Sequence, residues 1–143
     1  MKHNASPAPT YTLLPIGIIR SDLKAIRAAP NFYTEGAPPA IIEVNPVYER
    51  GLSRMKVGDE IIVITWLHRA RRELLRVRPE DDPSQPITGV FSTRSPGRPN
   101  PLGLHRVKVL EIRGCRIRIG AIEVVDETPV LDIKPVVPAA DDS

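Results

Sequence analysis

Proline constrains this chain more than any other residue, because 16 prolines are spread over 143 residues, roughly twice the ordinary usage. Each proline fixes its own φ, lacks a backbone N–H and restricts the residue before it. Isoleucine and valine supply 15 and 13 residues, and such β-branched side chains favour strands over helices. The sequence therefore predicts a mainly β protein with short strands and rigid loops.

Length and composition bound the class of protein. With 143 residues, 41% of them apolar, the chain can bury an ordinary core as one domain. We expect that domain at 11–138, with a flexible tail at 1–10 and an acidic one at 139–143. The single Cys115 excludes an internal disulfide and a multi-thiolate metal site. No apolar stretch suits a signal peptide or a membrane span, so we expect a cytoplasmic protein without a membrane partner.

Several short segments have strand character: 11–20, 40–44, 59–70, 87–94, 104–113, 115–126 and 130–135. Apolar and charged residues alternate in 104–113, which is typical of a half-buried strand, and Gly114-Cys115 predicts a hairpin to the next segment. The nearly continuous apolar run in 59–70 predicts a strand buried on both faces. Asn45-Pro46 predicts a capped helix of one or two turns. Together the segments predict a small antiparallel β-barrel, closed or nearly closed, with little helix.

The segment GVFSTRSPGRPNPLGLHR at 89–106 is the most unusual in the chain. Pro96, Pro99 and Pro101 leave its backbone few conformations, so the loop is stiff before any ligand binds. It presents the hydrogen-bond donors of Arg94, Ser95, Arg98 and Asn100 on that backbone. The pattern predicts a ligand-binding loop, and the alternative is an ordered connection between two barrel strands.

Two further patches are candidates. His68 ends a predicted strand and is followed by Arg69, Arg71 and Arg72. The histidine is a candidate general base, and the alternative is a polar residue that ends the strand. The arginines either contact an RNA backbone or are solvated at the rim of the barrel. Asp126-Glu127-Thr128-Pro129 forms a turn that is either structural or part of a site. His68 and His105 lack any metal-ligand spacing, so we expect no metal. Glycine-rich nucleotide motifs are absent.

The two signatures resemble those of the TsaA-like, or TrmO, family. GVFSTRSPGRPNPLGLHRV is similar to the family form GVFATRSPxRPNPIGLSxV, and VVDETPVLDIKPVVP is similar to LDGTPVLDIKPYVP. Weaker matches at PIGIIRS, VYERGL and IIVITWLHRARR extend the resemblance to residues 14–138. The sequence differs at Glu127, where the family has Gly, and at Val136, where it has Tyr.

The resemblance implies a homodimeric, non-Rossmann β-barrel that binds S-adenosylmethionine and methylates N6 of N6-threonylcarbamoyladenosine beside the tRNA anticodon. It implies cofactor contacts at Pro30, Asn31, Phe32, Leu67, His68, Arg94, Leu104, Asp126, Glu127, Thr128 and Pro129. Asp126 is also the candidate proton acceptor, and the candidates for the RNA backbone are Arg69, Arg71, Arg72, Arg98 and Arg106. The alternatives are a module that binds S-adenosylmethionine without methyl transfer, or a methyltransferase for a different substrate.

Overall fold

The computed structural model describes residues 8–21 and 39–137. Three of the predicted cofactor contacts, Pro30, Asn31 and Phe32, lie outside the described residues. The same is true of the predicted tail at 139–143 and of residues 1–7 of the N-terminal one. All the other predicted site residues lie within the two described ranges.

The fold is a closed antiparallel barrel, as the sequence predicts. The six barrel strands are Gly17–Arg20 (β1), Pro39–Val44 (β2), Glu60–Trp66 (β3), Leu102–Arg113 (β6), Arg116–Ala121 (β7) and Pro129–Pro135 (β8). Two short strands lie outside the barrel, Arg76–Val77 (β4) and Thr88–Gly89 (β5). The barrel order is β1-β2-β7-β6-β3-β8, with β8 paired to β1. The short strands β4 and β5 pair only with each other. Closure removes the exposed strand edges that an open sheet would present.

Isoleucine and valine fill the barrel. The side chains with no exposed surface include Ile19, Ile42, Val63, Val109, Ile117, Ile119 and Val130. Each contributes about 1.5–3 kcal/mol by leaving water. They come from strands that alternate inward and outward residues, the pattern that the sequence shows in 104–113.

Two local predictions are confirmed. The β6–β7 hairpin turns at Gly114, which adopts a φ of +60° without strain because glycine has no Cβ. Asn45 precedes a 3₁₀ helix at Pro46–Leu52, and its side-chain oxygen accepts from the Val47 N–H at 3.1 Å. Both features depend on residues that are neighbours in sequence, so they could be predicted from the sequence.

Other boundaries were wrong. Residues 87–94 form only the two-residue strand β5 followed by a 3₁₀ turn at Val90–Ser92. Residues 11–16 precede β1 without strand pairing, and 59–70 narrows to β3. β3 is fully buried on one face and half-buried on the other, so the predicted burial on both faces is wrong.

The turn before β8 is attached to β1. Glu127 N–H donates to the Ile19 carbonyl at 2.7 Å, and Ile19 N–H donates to the Thr128 carbonyl at 2.9 Å. Glu127 lies at φ 70°, in the left-handed region where a side chain costs about 1–2 kcal/mol. A glycine, which the family has at this position, would avoid that cost. In this chain the two backbone hydrogen bonds to β1 hold Glu127 in the left-handed conformation.

Within the described residues, no helix has the length and apolar character needed to cross a bilayer. In the same part of the chain, no group of three His, Cys, Asp or Glu side chains converges as a metal site.

Candidate functional site

A cleft of about 660 Å³ lies at one end of the barrel. It is formed by the residues after β3, the proline-rich loop, the start of β6 and the segment before β8. Of the described residues, its lining comprises Leu67, His68, Arg69, Ala70, Thr93, Arg94, Pro96, Arg98, Asn100, Leu102, Gly103, Leu104, His105, Glu123, Val124, Val125 and Thr128. The two sequence signatures therefore meet at one surface.

Strand register explains why these distant segments meet. β3 and β6 are antiparallel neighbours, with Trp66 opposite Leu102 and Thr65 opposite Gly103. The end of β3 therefore lies beside the start of β6, and the Leu67 N–H donates to the Pro101 carbonyl at 2.8 Å. β8 pairs with the other side of β3, which brings Thr128 to the same end.

The proline-rich loop is stiffened by Arg98 as well as by its prolines. The Arg98 guanidinium donates to the carbonyls of Thr93 and Ser95 at 3.0 Å and to the Val90 carbonyl. Its backbone N–H donates to the Arg71 carbonyl at 2.9 Å. Arg98 thus supports the loop from inside, a role that its residue type alone did not indicate.

Arg94 and the cleft leucines have the properties of ligand-binding groups. Arg94 is exposed and has no hydrogen bond or ion pair with any described residue. Leu102 and Leu104 remain 41% and 53% exposed beside it. A free guanidinium next to apolar surface suits a ligand with an anionic group and an apolar or aromatic part.

His105 is a polar cleft residue that sequence reasoning did not assign to the site. It lies on β6, and its Nε2 is 2.8 Å from the hydroxyl oxygen of Thr65, which has no exposed surface. Burial lowers the pKa of His105 to about 4, so the imidazole is neutral at pH 7. The only sequence signal was a departure, since the resembled signature has Ser where this chain has His105.

The predicted cofactor contacts divide into two groups. Leu67, His68, Arg94, Leu104 and Thr128 line the cleft. Asp126, Glu127 and Pro129 lie outside that lining. The Asp126 carboxylate accepts a hydrogen bond from the Ser21 N–H at 2.9 Å, and the Glu127 carboxylate pairs with Arg20 at 3.4 Å. Pro129 lines a neighbouring groove.

That neighbouring groove has a volume of about 730 Å³ and shares Asn100 and Leu102 with the cleft. Tyr11 and Trp66 also line it, together with Arg72. The Arg72 guanidinium lies 5.0 Å from the centroid of the Trp66 ring, a cation–π distance.

The five arginines predicted to contact RNA are dispersed and engaged. Arg71 pairs with Glu73 at 2.5 Å, and Arg106 pairs with Glu60 at 2.7 Å on the outer wall of the barrel. Arg72 donates to the Pro99 carbonyl at 2.8 Å, and Arg98 supports the loop. Arg69 lines the cleft.

The fold and the cleft define a class: a small closed β-barrel with a cleft at one end, between a stiff cationic loop and apolar strand residues. Sequence comparison then identifies the particular family. Residues 18–142 match the tRNA-methyltransferase O N-terminal domain, and the chain belongs to that family.

Individual relatives agree with this assignment. A probable S-adenosyl-L-methionine-binding protein of Methanocaldococcus jannaschii is 37% identical over 128 residues, covering 87% of this chain and 90% of the relative. One from Archaeoglobus fulgidus is 40% identical over 123 residues, covering 86% of this chain and 33% of the relative. The crystal structure of TrmO from Pseudomonas aeruginosa superposes with a TM-score of 0.74 at 30% identity, covering 94% of this chain and 60% of that one. The chain thus spans only a third of one relative and three fifths of this structural neighbour.

Proposed function

We propose that the protein is an S-adenosylmethionine-dependent methyltransferase that acts on tRNA, at N6 of N6-threonylcarbamoyladenosine. The cleft is the observation that carries this proposal, because both family signatures line it and Arg94 has no partner there among the described residues. Relatives named as S-adenosyl-L-methionine-binding proteins support the choice of cofactor, and membership of a tRNA-methyltransferase family supports the choice of tRNA.

The residues present fit S-adenosylmethionine. A volume of about 660 Å³ lies within the roughly 300–1,000 Å³ range of small-molecule sites. Arg94 would hold a carboxylate, while Leu67, Leu102 and Leu104 would pack on apolar or aromatic parts. When bound, the cofactor supplies an electrophilic methyl group on a sulfonium.

The chain's own residues would orient the acceptor and receive its proton. The acceptor N6 loses its proton when it gains a methyl group, and an N6-acylated adenine releases that proton readily enough for a weak base. His68 lines the cleft and is exposed, and Asp126 lies at the adjoining turn. Either side chain is a candidate to take the proton.

The remaining partners follow from the same proposal. A tRNA substrate agrees with a cytoplasmic location, and a homodimer is the assembly that the family resemblance implies. The predicted contacts Pro30, Asn31 and Phe32 belong to the proposed cofactor site as well.

The test uses purified protein, S-adenosylmethionine with a labelled methyl group, and two tRNA preparations that differ only in the threonylcarbamoyl group. We expect label in the modified tRNA alone. Arg94→Ala should weaken cofactor binding about tenfold, by loss of a charged hydrogen bond. Arg118→Ala is the matched control, because Arg118 is exposed on β7 away from the cleft.

The outcomes separate the candidate functions. Cofactor binding without label in either tRNA contradicts the methyltransferase and favours the binding module. Label in both tRNAs contradicts the threonylcarbamoyl specificity. Unchanged affinity in Arg94→Ala contradicts the assignment of the cleft.

A further inference from the structure

His105 and Thr65 form a built polar pair in the wall of the cleft. His105 lies two residues after Gly103 on β6, and Gly103 is opposite Thr65. A Cβ at position 103 would lie 2.5 Å from the Thr65 hydroxyl oxygen and 2.6 Å from His105 Nε2. Because Gly103 has no Cβ, the His105 imidazole has room beside the Thr65 hydroxyl.

The surroundings of Thr65 indicate which nitrogen of His105 carries the proton. Thr65 has no exposed surface, and His105 Nε2, at 2.8 Å, is the hydrogen-bond partner of its hydroxyl among the described residues. A buried hydroxyl proton without an acceptor costs about 1–3 kcal/mol. Thr65 therefore donates to Nε2, and the neutral ring carries its proton on Nδ1.

That Nδ1–H is available to a ligand. Nδ1 has no hydrogen-bond partner among the described residues. Every fully buried side-chain nitrogen or oxygen in that part of the chain does have one, so Nδ1 is not enclosed. Because His105 lines the cleft, the cleft is the open volume next to this ring.

We propose that His105, held by Thr65 in its Nδ1–H tautomer, donates a hydrogen bond to an acceptor atom of the ligand in the cleft. This inference rests on the proposed function, under which the acceptor is a carboxylate oxygen or an adenine nitrogen of S-adenosylmethionine. A neutral donor suits this ligand, since an imidazolium would repel the sulfonium. Arg94 and His105 would then select the ligand by charge and by hydrogen bonding respectively.

Two amide variants separate the functions of the two ring nitrogens. An Asn side-chain nitrogen is two bonds from Cβ and can donate there like Nδ1–H, whereas a Gln side-chain oxygen is three bonds away and can accept from Thr65 like Nε2. His105→Asn should retain the donor in the cleft and bind S-adenosylmethionine within about threefold of the wild-type affinity. His105→Gln should retain the contact to Thr65 and bind about tenfold more weakly, the loss expected for one ligand hydrogen bond.

Calorimetric titrations of the three proteins measure these affinities, and thermal unfolding checks that each is folded. Separate titrations with adenosine and with methionine locate the acceptor, because the His105→Gln loss should appear only with the half that carries it. Equal affinities of wild type and His105→Gln for S-adenosylmethionine overturn the inference and leave the proposed function intact. Wild-type protein that does not bind S-adenosylmethionine overturns both.

The tautomer has its own readout, and its effect on cofactor binding distinguishes a ligand-binding histidine from a merely structural one. Nitrogen-15 correlation spectra of wild-type protein should show the Nδ1–H form of His105, and Thr65→Val should shift it toward Nε2–H and weaken cofactor binding. An Nε2–H tautomer in the wild type overturns the inference even if neither His105 variant folds.

Discussion

At the scale of single residues, His105 shows how burial fixes a charge state. The barrel end shields its ring from water, so the neutral form is favoured and the pKa falls from 6.5 to about 4. In the unfolded chain the ring takes up a proton near its ordinary pKa. The unfolded state therefore binds more protons between these two values, and stability depends on pH there.

We expect acidification to destabilise the protein through His105. The contribution is fully present above pH 6.5 and is lost as the pH falls toward the folded-state value of about 4. Between about pH 7.5 and 5 the loss should be about 2 kcal/mol. Urea unfolding at the two pH values measures it, with His105→Asn as the control that removes the titration. An equal loss in that variant contradicts this assignment.

Gly17 illustrates a steric requirement that is visible only in the folded barrel. A Cβ at position 17 would lie 2.2 Å from the Glu43 carbonyl oxygen, which is backbone and cannot rotate away. Gly17→Ala should therefore force β1 from β2 and destabilise the protein by about 2 kcal/mol or more.

Gly120→Ala is the matched control for that substitution. Gly120 lies on β7 with nothing within 4 Å of an added Cβ, so alanine there should be neutral or stabilise by up to about 1 kcal/mol. Denaturant midpoints of both variants provide the measurement. Equal stability of Gly17→Ala and Gly120→Ala contradicts the close approach of β1 to β2.

At the scale of elements, the loop from Val90 to Arg98 depends on one guanidinium. Arg98 donates to three loop carbonyls, which would otherwise lack those partners. Arg98→Ala should cost about 2–3 kcal/mol and speed amide exchange at Ser95. Arg98→Lys should rescue little, because an ammonium lacks the planar fork. Arg118→Ala, an exposed arginine on β7, should change neither quantity, and a similar response in both alanine variants contradicts the role of Arg98.

The elements also show how far the sequence determines this structure. The β6–β7 hairpin and the Asn45 cap were predictable because their signals lie within a few residues. Residues 87–94 have strand-like composition, yet only Thr88–Gly89 pairs with a neighbouring strand, β4. Local propensity cannot supply a partner strand, so that prediction was wrong.

The same limit applies to the candidate site. The signatures predicted a cofactor loop at Arg94 and a turn at Asp126, but the bond between Thr65 and His105 joins residues 40 apart in sequence. Only the β3–β6 register brings that pair together. The internal role of Arg98 was hidden in the same way, because the carbonyls that it binds are grouped by the folded loop.

At the scale of the whole molecule, charge placement matters more than net charge. The chain carries 20 basic and 17 acidic residues, a net charge of +3. Several arginines already face carboxylates, as Arg106 faces Glu60 and Arg71 faces Glu73. Such exposed pairs contribute little stability and can exchange partners for phosphates. RNA binding by the arginines at the cleft end of the barrel would therefore use few phosphate contacts.

We expect tRNA affinity to fall with salt in proportion to those contacts. Three contacts would give a slope of about −2.1 to −2.7 in log–log form, or a loss of roughly 20-fold to 40-fold between about 50 and 200 mM salt. Arg69→Ala combined with Arg71→Ala should reduce the slope by about 1–2, whereas Arg118→Ala on β7 should leave it unchanged. Filter binding across a salt series measures all three proteins. A wild-type slope near zero contradicts phosphate recognition by the cleft end of the barrel, and a reduction in Arg118→Ala alone would place the RNA on the β7 wall instead.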